Sequence, residues 1–142
     1  MAKAILLVED SDNDEFIFLQ VLKKTGISNP IYVVRDGAEA IRYLNGEEQF
    51  ADRKKFPMVN VMFLDLKMPG MGGFEVLQWL KGQGDKFKNL LVVVLSHFGE
   101  TKDINQAYGL GAHSFLTKPI KAADLAHLAE HFKAYWQNGA GI

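Results

Sequence analysis

The stretch Asn60-Val61-Met62-Phe63-Leu64-Asp65-Leu66-Lys67-Met68-Pro69-Gly70-Met71-Gly72-Gly73 decides the fold. Asn60 to Leu64 is a short run of mostly apolar, branched and aromatic residues that stops at Asp65. A run this short, bounded by Gly and Pro, reads as a buried strand. The loop from Lys67 to Gly73 carries Pro69, Gly70, Gly72 and Gly73, and Phe74, Leu77 and Leu80 then recur at helical spacing. Leu90 to Leu95 follows as the most β-prone run of the chain and reads as a central strand. A strand, a helix and a second strand in this order predict a crossover that leaves the two strands parallel.

The same unit repeats outward in both directions. Towards the N-terminus, Ala4 to Val8 reads as a strand. Ser11 and Asp12 are helix caps, and Phe18, Leu19 and Leu22 give one apolar face before Gly26. Pro30 to Val34 is a shorter strand, followed by a helix on Ala40, Ile41 and Leu44 that Asn45 and Gly46 close. Gly46 to Met58 is the one long polar connection. Towards the C-terminus, Ile104, Ala107 and Tyr108 mark a helix stopped by Gly109 and Gly111, and His113 to Leu116 is a fifth strand. Leu125, Leu128, Ala129, Phe132 and Trp136 predict one continuous final helix. The expected fold is α/β: a five-stranded parallel sheet with helices on both faces, in one domain over residues 1–137, with a flexible Gly-rich tail over 138–142.

Composition agrees. The chain has 142 residues, 48% of them apolar and 23% charged, which suits a single folded domain. Sixteen basic against 17 acidic residues give a net charge of -1, which argues against nucleic acid as a partner. No cysteine is present, so disulfides, thiolate zinc sites and cysteine nucleophiles are excluded, and the composition fits a cytoplasmic protein. No apolar run approaches the roughly 18 residues of a membrane span.

Right-handed crossovers bring all strand C-termini to one edge, where sheets of this kind bind ligands. Glu9 and Asp10 follow the first strand, Asp65 ends the third, Ser96 ends the fourth, and Thr117, Lys118 and Pro119 follow the fifth. Three acids so close together repel one another unless a cation joins them. The ligands are all oxygen, which selects Mg2+ or Mn2+ over zinc. A hydroxyl and an ammonium beside a metal-bound carboxylate suit a phosphoryl group on that carboxylate.

Val8-Glu9-Asp10, Leu64-Asp65-Leu66-Lys67-Met68-Pro69-Gly70, Leu95-Ser96 and Leu116-Thr117-Lys118-Pro119 resemble, in order, the signature blocks of response-regulator receiver domains. The resemblance implies a flavodoxin-like sheet of order 2-1-3-4-5. It implies that Asp65 is the phosphoacceptor, and that Glu9, Asp10, Asp65 and the Lys67 backbone carbonyl serve the metal. Ser96 then corresponds to the switch hydroxyl, Lys118 to the phosphate-contacting lysine and Phe115 to the switch aromatic, with a cis bond at Lys118-Pro119. The long connection and the aromatic end His131-Phe132-Lys133-Ala134-Tyr135-Trp136 are similar to single-domain regulators associated with phytochromes. That likeness implies a phytochrome-type sensor histidine kinase and a downstream protein target as partners, with no attached output domain and no membrane partner. Tyr135 and Trp136 suit core packing and a homodimer interface equally.

Other patterns weigh less. His127-Leu128-Ala129-Glu130-His131 has the spacing of a zinc-peptidase motif but no third ligand, and reads as an exposed helix face. Arg53-Lys54-Lys55 reads as a solvated loop. A phosphatase with an aspartate nucleophile needs an acid two residues after it, where this chain has Lys67. A flavin carrier needs a hydroxyl-rich loop where Glu9, Asp10, Asp12 and Asp14 stand. The chain is therefore expected to be a phosphoacceptor and not an enzyme acting on a separate substrate. His97, Phe98 and Lys67 flank the path of water to the phosphoryl group, and Phe98 and Lys67 predict a long-lived phosphorylated form.

Overall fold

The computed structural model describes residues 3–97 and 101–136. Phe98 and the tail over 138–142 lie outside the described residues. The elements run β1 (Ile5–Val8), α1 (Asp12–Lys24), β2 (Ile31–Val34), α2 (Gly37–Asn45), a 3-10 turn (Glu48–Phe50), β3 (Val61–Asp65) and α3 (Gly73–Lys81). They continue with β4 (Leu91–His97), α4 (Thr101–Gly109), β5 (Ser114–Lys118), α5 (Ala122–His131) and α6 (Lys133–Trp136). The five strands form one parallel sheet of order β2-β1-β3-β4-β5, the flavodoxin-like arrangement.

Strand side chains alternate between two buried layers. Leu6, Val8, Met62, Leu64, Val92 and Val94 pack with Ala40, Val76 and Ala107 from α2, α3 and α4. Ile5, Leu7, Val61, Phe63, Val93 and Leu95 pack with Phe18 from α1 and Leu125 from α5. Each of the larger of these side chains, the valines, leucines, isoleucines, phenylalanines and methionine, contributes about 1.5–3 kcal/mol when fully buried. This anchoring fixes the strand ends that carry the polar residues.

The helix ends follow local chemistry. Ser11, and not Asp12, caps α1: its hydroxyl accepts from the Asp14 N–H at 3.2 Å. Asp36 caps α2 by accepting from the Glu39 N–H at 2.8 Å, and Gly46 ends that helix at φ 66°, in the left-handed region that favours glycine.

Four sequence expectations need correction. The connection from Gly46 to Met58 is not simply polar: Phe50 is buried, and Phe50, tilted, and Phe56, edge-on, pack against the buried Tyr43 at 5.0 and 6.1 Å. The Tyr43 hydroxyl donates to the Pro57 carbonyl at 2.8 Å, so the aromatics pin the loop to α2. β4 runs on to His97, and Thr117 and Lys118 lie within β5 rather than after it, because the ladder continues through Ser96 with Thr117 and His97 with Lys118. Tyr108 is not a core residue: it is 43% exposed and meets the Phe115 ring edge-on at 6.2 Å.

The final helix, lastly, is broken. Phe132 leaves helical geometry at φ -108° and ψ 42°. The turn brings Trp136 onto Phe63 at 5.7 Å and its carbonyl to the Asn29 side-chain amide at 2.6 Å. Trp136 is buried and Tyr135 packs, partly buried, on the same layer, so both take part in the core.

Candidate functional site

The sheet order brings the ends of β1, β3, β4 and β5 together on one edge. Glu9, Asp65, Ser96 and Lys118 are the buried polar or charged residues among those described, and all four lie there. Carboxylate oxygens of Glu9, Asp10 and Asp65 lie within 4.8 Å of one another. Glu9 and Asp65 are buried, whereas Asp10 is exposed at the mouth.

The Lys118 ammonium sits among carboxylates. It donates to Glu9 Oε1 at 2.6 Å, to Asp65 Oδ2 at 2.9 Å and to Asp14 Oδ2 at 3.0 Å. Three donors meet three acceptors, so the side chain is fixed in direction. Burial opposes the Lys118 charge, but the bonds to Glu9, Asp65 and Asp14 outweigh it and hold its pKa above the ordinary lysine value. Burial pushes the Glu9 carboxyl up to about 7, with the Asp65 charge adding to the effect and Lys118 opposing it. A cation placed among these acids would reverse that rise.

Local backbone geometry presents Asp65. The Lys67 N–H donates to Asp65 Oδ1 at 3.1 Å, and the Gly73 N–H donates back to the Leu66 carbonyl at 3.3 Å. A Cβ on Gly73 would stand 2.5 Å from the Asp65 carbonyl oxygen and 2.8 Å from the Leu66 Cα, so only glycine allows this approach. The Lys67 ammonium reaches away from β3 to Asp103 of α4, at 3.2 Å.

Ser96 is 1% exposed and its hydroxyl has no hydrogen-bond partner. A buried hydroxyl without a partner is unusual and costs about 1–3 kcal/mol. Phe115 is 38% exposed on β5, with its ring turned outward against Tyr108. The Lys118-Pro119 bond is cis. His97 is exposed at the end of β4, and His127 and His131 are exposed on α5.

Sequence reasoning missed Asp14 as part of this cluster. The signal was its place one turn before Phe18 and two before Leu22, at the head of the buried stripe of α1. An acid on an inward face wants a cation, and Lys118 supplies it.

The donor set therefore consists of hard carboxylate oxygens, which fit a small divalent cation, beside a buried hydroxyl and a fixed ammonium. Among known proteins, the family model for the response regulator receiver domain matches residues 5–130. The chain belongs to that family of two-component signalling proteins.

Response regulator Rcp1 of Synechocystis sp. is 34% identical over 134 residues, which cover 94% of this chain and 88% of Rcp1. A solved structure of Rcp1 in its Mn(2+)-bound form superimposes with a TM-score of 0.73 at 32% identity, covering 96% of both chains. The bacteriophytochrome response regulator RtBRR gives a TM-score of 0.84 at 35% identity, covering 97% of this chain and 82% of its own. The phosphorylated cyanobacterial phytochrome response regulator RcpA gives 0.76 at 30% identity, covering 96% and 94%. No described helix is long and apolar enough to cross a membrane.

Proposed function

We propose that this receiver domain accepts a phosphoryl group on Asp65 from the phosphohistidine of a sensor histidine kinase, of the kind that serves phytochromes. In the transfer an Asp65 carboxylate oxygen attacks phosphorus, the P–N bond to histidine breaks and a P–O bond to Asp65 forms. The observation that carries the reading is the unpartnered Ser96 hydroxyl, buried on the same edge as Asp65 and Lys118. A phosphoryl oxygen would give it the acceptor it lacks, and Lys118 would exchange one carboxylate bond for a phosphoryl one.

Glu9, Asp10, Asp65 and the Lys67 carbonyl would hold Mg2+ or Mn2+, which supplies charge neutralisation to the phosphoryl oxygens. The binding of Mn(2+) by Rcp1 and the phosphorylated state of RcpA support both parts of the reading. The domain assists its own phosphotransfer and dephosphorylation and acts on no separate substrate. Its output is an altered protein contact in the cytoplasm, with Phe115 and Tyr108 at the exposed face that changes.

The direct test is incubation with a small phosphodonor and Mg2+, followed by mass mapping. One phosphoryl group on the peptide that contains Asp65 is the expected result. Labelling elsewhere, or none, would overturn the assignment.

A further inference from the structure

At the opposite end of β4 from Ser96, a groove of about 280 Å3 opens between α3 and α4. Its floor is hydrocarbon: Leu77, Leu80, Phe87, Leu90 and Leu110. Phe87 is held from behind by Trp79, with ring centroids 5.4 Å apart. The rim is different. Lys81, Lys88 and His113 line it, and no carboxylate does.

Neither lysine forms an ion pair among the described residues; Lys81 makes only a 3.5 Å contact to the Gly109 carbonyl. The one acid on the adjoining connection, Asp85, stands with Lys86 outside the groove, so residues 81–88 carry three lysines against one acid. His113 adds a donor. Its Nδ1 accepts the Val92 N–H at 2.9 Å, which leaves Nε2 to carry the ring proton.

We propose that this groove binds a small, flat, apolar carboxylate, its hydrocarbon body on the leucine and phenylalanine floor and its charge between Lys81 and Lys88. Three features favour that occupant. The volume falls just below the roughly 300–1,000 Å3 of drug-sized ligand sites, so the occupant must be small. The apolar floor rewards a ligand without internal polar groups. The unpaired cations reward an anion and give a neutral ligand nothing. The site lies at the opposite end of β4 from the acidic edge.

The test is a methyl NMR titration of the full chain with 2-naphthoate and with its neutral counterpart 2-naphthamide. Saturable shifts in the Leu77, Leu80, Leu90 and Leu110 methyls are expected, with naphthoate favoured by up to about tenfold if each lysine contributes its share. A Lys81→Gln, Lys88→Gln double variant changes only surface charge, so it keeps its thermal melt. It should bind the two ligands equally. Equal affinities in the wild type, or shifts on another surface, overturn the proposal. Methyl shifts that grow with protein concentration in the absence of ligand would mean that a second copy covers the groove, and would overturn it too.

Discussion

The two ends of β4 share one backbone and treat polar groups in opposite ways. At the C-terminal end, Ser96 is buried with an unused hydroxyl, and Glu9, Asp65 and Lys118 are buried beside it. At the N-terminal end, the Val92 N–H has no strand partner because β5 starts only at Ser114, opposite Val93. The His113 imidazole takes that bond, and the His113 N–H returns one to the Val92 carbonyl at 2.9 Å. One end closes its polar accounts and the other leaves them open. Proteins break the satisfaction rule chiefly where they act, so the unsatisfied end is where chemistry is expected.

The sharpest break of that comparison is Asp65→Asn. The fold should survive, since the amide keeps an acceptor for Lys118, and labelling by a small phosphodonor should vanish. Equal labelling of the variant would move the chemistry away from this edge.

The next effect is on stability. Glu9 has a pKa of about 7 against an ordinary 4.5, so between those values the native state holds a proton that the unfolded chain has lost. Stability should therefore fall as pH rises through that window, by up to about 3 kcal/mol without divalent cation. Glu9→Gln should flatten the slope. Denaturant titrations across the window check this, and a flat wild-type profile would refute it.

Gly73→Ala comes third. The added Cβ meets backbone atoms that cannot swing aside, so the Asp65 loop must shift. A loss of about 1–3 kcal/mol is expected, together with slower labelling. A neutral substitution would show that the loop has slack. Divalent cation is fourth: tenfold over its Kd, it should add about 1.4 kcal/mol in thermal melts. The gain should be much smaller in Asp10→Ala, which removes an exposed ligand and little else.

The acidic edge was legible in the sequence because position after a strand is enough to predict convergence. Glu9, Asp65, Ser96 and Lys118 each follow or end an apolar run, and a parallel sheet gathers such residues without further information. What was illegible depended on side chains crossing between elements. Asp14 joins the cluster from a helix, through the direction of one stripe of α1. Phe50 and Phe56 look like interruptions of a polar loop until Tyr43 is placed beneath them. Apolar periodicity ran correctly to Trp136, but it could not register the turn at Phe132, which exists to set an indole on Phe63.

The smallest predicted effect lies at the closed end and has the opposite sign in pH. Partial desolvation where the ring packs against β4 pushes the His113 imidazole below its ordinary value of 6.5, although the residue keeps an exposed side. Below that value the unfolded chain takes up a proton that the native ring resists, so this end should lose stability as pH falls. The geometry agrees, because a proton on Nδ1 would face the Val92 N–H and break the bond. His113→Ala should cost about 1 kcal/mol near neutral pH, the worth of one hydrogen bond. It should also remove the acid-side loss while leaving the Glu9 slope intact. Amide exchange at Val92 gives a local readout: its protection factor, which corrects for the intrinsic pH dependence of exchange, should fall on acidification in the wild type and be low throughout in the variant. If Val92 protection does not respond to pH, the imidazole is not the acceptor that closes this end, and the contrast between the two ends of β4 fails at its weaker half.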